Sequence, residues 1–490
     1  MKDWRYLIFG IVILISICSC QKKQEPDRLL RADSLHVEIP EPDWSQTLTF
    51  EIMPSLQKPV LLSTFDSLFQ DQFFQRLSVM PSFKVIPSTV PLEHQKEGYH
   101  ATARLQSINE DSVEVSYQIK QAETGILVYE ENQKISTQEI ILNEWQPEEE
   151  LGVVLGSTVR PQSIRQTPRP EAIDSYQKGL NAFQKQTPEG VDVAIHYYKE
   201  ALKEDSTFIQ PLLGLAEAYL FIQKKQWQPH IVWTQLAMTA AQRILYQDTN
   251  HQKGNLLYGQ CLFLLGDMKQ AEQYFNKVIQ LNQNETGGWK GLADIYAYLG
   301  LYQSYLKVAD IILSLNPTDT DICIQKGLIE MALGHYEQAV ALLSRPRQSD
   351  ITNTYLAMAA YYQNDYSEAH DYLDRIQQSN DFIPLSKAVL AMVSAKEGKL
   401  DDALGLIELD VKPNAYDNAA LSLSVAAVYN LLGRKTLAIE WINRAADLGY
   451  HDYVWLKNDP NFSGLSEESD FQNALERVKR KWLETRTFYK

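Results

Sequence analysis

The chain has 490 residues, 44% hydrophobic and 22% charged, with a formal net charge of −16. That length predicts two or more domains around ordinary globular cores. The acidic balance argues against nucleic acid, whose phosphates it would repel, and against adhesion to anionic lipid surfaces.

At the N-terminus, Lys2 and Arg5 precede an apolar run from Leu7 to Ile17, broken only by Ser16. A membrane-crossing helix needs about 20 apolar residues, so this shorter run reads as the hydrophobic region of an export signal. "ICSC" follows, ending at Cys20. It resembles the bacterial lipoprotein lipobox, which implies cleavage after Ser19 and a diacylglyceryl thioether on Cys20. Acyl chains on that cysteine would anchor the protein at about 0.8 kcal/mol per buried methylene. Gln21 follows the cysteine where inner-membrane retention in enteric bacteria uses aspartate, so the outer membrane is favoured. Residues 1–19 are therefore expected as a lipoprotein signal peptide, and 20–46 as a polar tether carrying Pro26, Pro40 and Pro42.

Residues 47–157 read as a small α/β domain. "LTFEIMP" and "FKVIPS" are strand-like, and "FDSLFQDQFFQRLSVMP" between them places apolar residues at helical spacing. Three antiparallel strands are predicted at Tyr99–Ile108, Ser112–Gln121 and Gly125–Ile135, separated by the turns "NEDS" and "AETG". "PEEELGVVLGSTV" predicts a closing helix. The helix before "FKVIPST" and the "AETGILVYEE" hairpin resemble the α/β domain, related to the TolB amino-terminal domain and FlgO-type proteins, that precedes repeat arrays in bacterial signalling proteins. That resemblance implies an extracytoplasmic signalling component as one alternative function. Residues 158–170 read as a linker.

From residue 171 to 450 the chain repeats itself. Gly266, Gly300 and Gly334 lie 34 apart, and Gly398 and Gly433 continue the series. Small residues recur in register at Gly259, Ala293, Gly327, Ala357, Ala391 and Ala426, where paired helices approach closely. The second helices supply Phe275, Ala309, Leu343, Leu373 and Ile442. The pattern resembles the tetratricopeptide repeat over about 280 residues, and eight repeats are counted. The fold class expected is mainly α: a solenoid of helix pairs behind a small α/β domain. Residues 451–490 lack the repeat and are expected to cap it, because an end repeat cannot bury its outer face on a neighbour.

No nucleotide-binding, zinc-protease or serine-hydrolase motif occurs, and no histidine pair at helical spacing supports a metal site. Neither catalytic residues, nor a cofactor, nor a metal is therefore expected, and the chain reads as a binder. Cys261 and Cys323, two repeats apart, are expected as buried free thiols. Tetratricopeptide arrays line a concave groove with set positions of each first helix. Carried through the register, those positions are Phe263, Lys290, Asp294, Tyr298, Tyr361 and Tyr362. They are the candidate contacts for a protein or peptide partner, and the three tyrosines are expected to be replaceable by alanine without unfolding the chain. The alternative is a glycan- or small-ligand-binding lipoprotein partnering an outer-membrane transporter, with Trp227 and Trp233 as its aromatic platform.

Overall fold

The computed structural model describes residues 39–53 apart from 43 and 45, parts of 69–87, 98–108, 112–136, isolated positions between 139 and 155, and 168–487 apart from 226, 228–230 and 379–383. The segment expected as an export signal, Cys20, the expected tether up to residue 38 and most of the expected linker lie outside the described residues. The chain divides into two compact units. One is Ile39–Leu292 with Ser314–Asn316, and the other takes in Ala293–Leu313 and the chain from Pro317 onward.

The first unit opens with a five-stranded sheet: β1 (Gln46–Met53), β2 (Phe83–Pro87), β3 (Tyr99–Ile108), β4 (Ser112–Gln121) and β5 (Leu127–Ser136). Its order is β2-β1-β3-β4-β5. β1 runs parallel to both neighbours, whereas β3, β4 and β5 form an antiparallel meander. On β4 the alternate residues Val113, Val115, Tyr117 and Ile119 are buried, the period-two pattern of a strand with one face on a core. Helical backbone at Phe69, Phe73 and Leu77 buries those side chains against that face. Their spacing of four residues puts them on one stripe of a helix.

Helix pairs follow. In this unit they are α1 (Pro170–Phe183) with α2 (Pro188–Glu204), α3 (Ile209–Lys225) with α4 (Ile231–Gln247), and α5 (Gln252–Leu264) with α6 (Met268–Leu281). The signature small residues are packing requirements. Phe275 of α6 lies between Gly259 and Gly291, where a Cβ would fall 2.8 and 2.5 Å from its ring.

The loop after α6 joins the sheet to the repeats. Asn284 is fully buried, and its amide donates to the carbonyls of Ser78 (2.9 Å) and Phe83 (2.7 Å). Its Oδ1 accepts from the backbone N–H of Val85 at 3.1 Å, and Asn282 donates to the Ser78 hydroxyl at 2.7 Å. β2 is an edge strand, so the asparagine supplies the partners a further strand would have supplied.

α7 (Thr286–Tyr298) crosses the boundary between the units. The second unit continues with α8 (Tyr302–Leu315), α9 (Thr320–Ala332), α10 (Tyr336–Leu343), α11 (Asp350–Tyr362), α12 (Tyr366–Gln378), α13 (Pro384–Lys396) and α14 (Leu400–Leu406). A π turn at Ile407–Val411 carries α14 into α15 (Lys412–Ala415), and α16 (Ala419–Leu431) and α17 (Lys435–Asp447) complete the pairs. The glycines between paired helices adopt positive φ, as at Gly334 (83°) and Gly398 (82°). Two pairs use another residue: α11–α12 has Asn364 at φ 64°, a type well able to replace glycine there, and α1–α2 has Gln186 at φ 50°.

After α17 come α18 (Tyr453–Asn458), a 3₁₀ turn (Pro460–Leu465) and α19 (Ser469–Thr487). α19 lies against α17: Arg477 pairs with Asp447 and donates to Asn443, and Lys435 pairs with Glu468. Among the described residues no helix is long and apolar enough to cross a membrane.

Candidate functional site

The first helices of the second unit do not present an open groove. The segment Tyr450–Leu465 returns along them and is held helix by helix. His451 Nε2 lies 3.3 Å from the carbonyl of Tyr298, in the last turn of α7. Asn458 donates to the carbonyl of Ala332 at the end of α9 (3.2 Å). On α11, the Tyr361 hydroxyl donates to Asn461 Oδ1, and the Tyr362 hydroxyl donates to Asp459 at 3.2 Å. Asn461 Nδ2 reaches Met392 Sδ of α13 at 3.7 Å, and Asn430 of α16 donates to the Asn461 carbonyl at 2.6 Å. Five successive first helices thus grip one peptide.

Aromatic packing closes the arrangement. Tyr362 stacks on Tyr336 at 5.4 Å and meets Trp455 edge-on at 6.3 Å. Tyr298 tilts onto the His451 imidazole at 5.3 Å. Leu456, Phe462 and Leu465 of the returning segment are buried in the same core as α11, α13 and α16. Asp452 and Asp459 fix its two turns, accepting from the backbone N–H groups of Trp455 (3.0 Å) and Asn461 (2.9 Å) as N-caps.

The structure therefore places the six residues singled out from the register in different surroundings. Tyr298, Tyr361 and Tyr362 come together in the second unit, beneath the chain's own C-terminal segment, with Tyr361 buried. Asp294 is exposed on α7. Phe263 and Lys290 belong to the first unit and are half-buried, with Lys290 acting electrostatically on Glu285. Trp227 and Trp233 are half-buried and engaged, by Phe221 and Tyr219 respectively, so neither ring stands clear as a platform. Sequence reasoning missed the returning residues His451, Asp452, Asp459 and Asn461. Their one local signal is a pair of Asp-initiated turns, "DYVW" and "DPNF".

On the first unit the corresponding face carries a ladder of half-buried rings. Phe183 of α1 meets Phe221 of α3 edge-on at 5.6 Å, and Trp227 meets Phe221 at 5.4 Å. Lys225 lies over the Phe221 ring at 5.7 Å. Cys261 and Cys323 are buried free thiols, and burial pushes the Cys261 thiol up to about 12.

Burial also acts on the acids of the returning segment. Removal from water is the largest influence on Asp459 and raises its carboxyl to about 6, against hydrogen bonds from Asn461, Tyr362 and Trp455 that favour the charge. An acid raised on folding contributes stability fully only below its unfolded value, about pH 4. That contribution is lost as pH climbs through about 6. Asp459→Asn is therefore expected to stabilise this unit by about 2 kcal/mol at pH 7 and by little at pH 4. Thermal melts at the two pH values check it.

Residues 253–285, the α5–α6 pair with its following loop, match the family model described as tetratricopeptide repeat. The fold is an array of tetratricopeptide helix pairs behind a small α/β domain. Superkiller protein 3 of Schizosaccharomyces pombe is 23% identical over 189 residues, 36% of this chain and 14% of its own. The chain thus spans only a small part of that relative's length. A tetratricopeptide repeat protein from Parabacteroides merdae aligns at 12% identity over 55% of this chain and 100% of its own, with a TM-score of 0.37. Yeast Tom70 aligns at 15% identity over 66% and 67% of the two chains, with a TM-score of 0.37.

Proposed function

We propose that this protein is a lipid-anchored scaffold of the bacterial envelope that holds a segment of a partner protein against the first helices of its repeats. The observation that carries the reading is the peptide already seated on that face. In the second unit, five first helices hold Tyr450–Leu465 through rings, hydroxyls and asparagines. The same face of the first unit offers Phe183 and Phe221, half-buried and backed by Trp227. Aromatic side chains of this kind anchor peptides at low entropic cost. The partner segment supported best is one with apolar anchor residues.

Capture of envelope proteins by the purified chain tests the reading. Phe221→Asp is expected to lose the captured partner, whereas Tyr246→Asp, at a residue 92% exposed on α4, keeps it. Equal capture by both variants would remove the first unit's face from the account. Anchoring has its own test. Cys20→Ala is expected to move the protein from the membrane to the soluble fraction, and to remove the acyl mass from its N-terminal peptide. Retention in the membrane would contradict lipidation at Cys20.

A further inference from the structure

The returning segment does not fill all the space above the first helices. A cavity of about 180 Å³ remains between it and α7, α9, α11, α13 and α16. Five tyrosines line it, Tyr302, Tyr355 and Tyr450 joining Tyr298 and Tyr362, together with the indoles of Trp455 and Trp482. Two carboxylates, Asp452 and Asp459, also line it, and among the described residues no lysine or arginine does. His451 is the basic side chain among the described lining residues, and burial lowers its tendency to take a proton.

The two acids face hydroxyl, amide and N–H groups, and the His451 imidazole also acts on Asp452. Tyr302 and the Trp455 N–H face Asp452, while Tyr362, Asn461 and the Trp455 indole face Asp459. Removal from water raises both carboxyls, and the guanidinium near this wall, that of Arg486, lies over the Trp482 ring at 4.0 Å. One polar atom at the cavity is unmatched. Trp482 is 9% exposed, its Nε1 lies against Gly300 on the cavity wall, and that N–H has no acceptor among the described residues.

We infer that this cavity binds a compact organic cation, its nitrogen held against the aromatic rings beside Asp452 and Asp459 and its oxygen accepting from the Trp482 indole. Aromatic faces attract a desolvated cation through their quadrupole. A cation would offset the cost of holding carboxylates away from water, whereas an anion would meet two of them unneutralised. The unmatched indole N–H calls for an acceptor on the same ligand. An amino alcohol has that combination in a few heavy atoms. This inference is independent of any protein partner on the first unit.

Titration calorimetry of the full chain at pH 7.5, with choline and with its neutral carbon isostere 3,3-dimethylbutan-1-ol, tests it. The two probes share shape and hydroxyl and differ in charge. Choline is expected to bind at least ten-fold more tightly than the isostere. Asp459→Asn, expected to fold more stably than the wild type, should weaken choline binding at least ten-fold, and Trp482→Phe several-fold. Equal affinity for the two probes, or no binding of choline or ethanolamine at millimolar concentration, would overturn the inference. So would an Asp459→Asn variant that binds choline as the wild type does. The comparison of probes on the wild-type chain stands even where a variant fails to fold.

Discussion

Asn284→Ala is expected to release the sheet from the repeats without unfolding them. One side chain serves two carbonyls and one N–H of the segment around β2, and all of these atoms are buried. Deleting it strands partners that water cannot reach, at about 1–3 kcal/mol each. The loss should total about 4 kcal/mol, because relaxation readmits water to part of the site. Asn284→Asp should do no better. It keeps the acceptor for Val85 but sets a carboxylate against two carbonyl oxygens. Amide hydrogen exchange checks this. β1, β2 and β3 should exchange faster in both variants, while α1 to α6 keep their protection. Unchanged protection of β2 would show that the asparagine is not its main support.

The second large effect concerns the face of the second unit. Tyr361→Ala is expected to cost about 4 kcal/mol, the range for truncating a buried aromatic ring. The ring is 3% exposed, packs edge-on against Tyr362 at 5.2 Å, and hydrogen-bonds Asn461. Its loss should free the returning segment, so that limited proteolysis cuts between 450 and 465 well before it cuts the wild type. The register alone predicts the opposite, a groove tyrosine that alanine can replace without unfolding the chain. Loss of helicity in the triple variant Tyr298, Tyr361 and Tyr362 to Ala would mark these residues as core, and the burial of Tyr361 with the contacts of all three makes that the expected result.

The sequence carried whatever is periodic or local. Alternation along Val113, Val115, Tyr117 and Ile119 placed β4, and the turn residues around it bounded β3 and β5 to within two residues. Glycines at a fixed step placed the turns between helices, and the register identified the close approach at Gly259. The π turn at Ile407–Val411 escaped, because an extra residue in a helical turn leaves no signature in composition. The returning segment escaped for a different reason. Tyr361 and Asn461 are 100 positions apart, and nothing in either stretch names the other. Asn282 and Asn284 sit in "LNQNET", which reads as an ordinary loop until the strand some 200 positions earlier is brought beside it. Register therefore singled out six positions, and only the fold could reveal that the chain itself covers three of them, Tyr298, Tyr361 and Tyr362.

The most direct test of the account uses one photo-reactive amino acid placed in turn at Phe221 and at Tyr298 in living cells, followed by mass spectrometry. At Tyr298 the account predicts a link within the chain, to residues 450–465. At Phe221 it predicts a link to a different protein. An intermolecular link from Tyr298, or none from Phe221 in protein that is folded and membrane-bound, would contradict it.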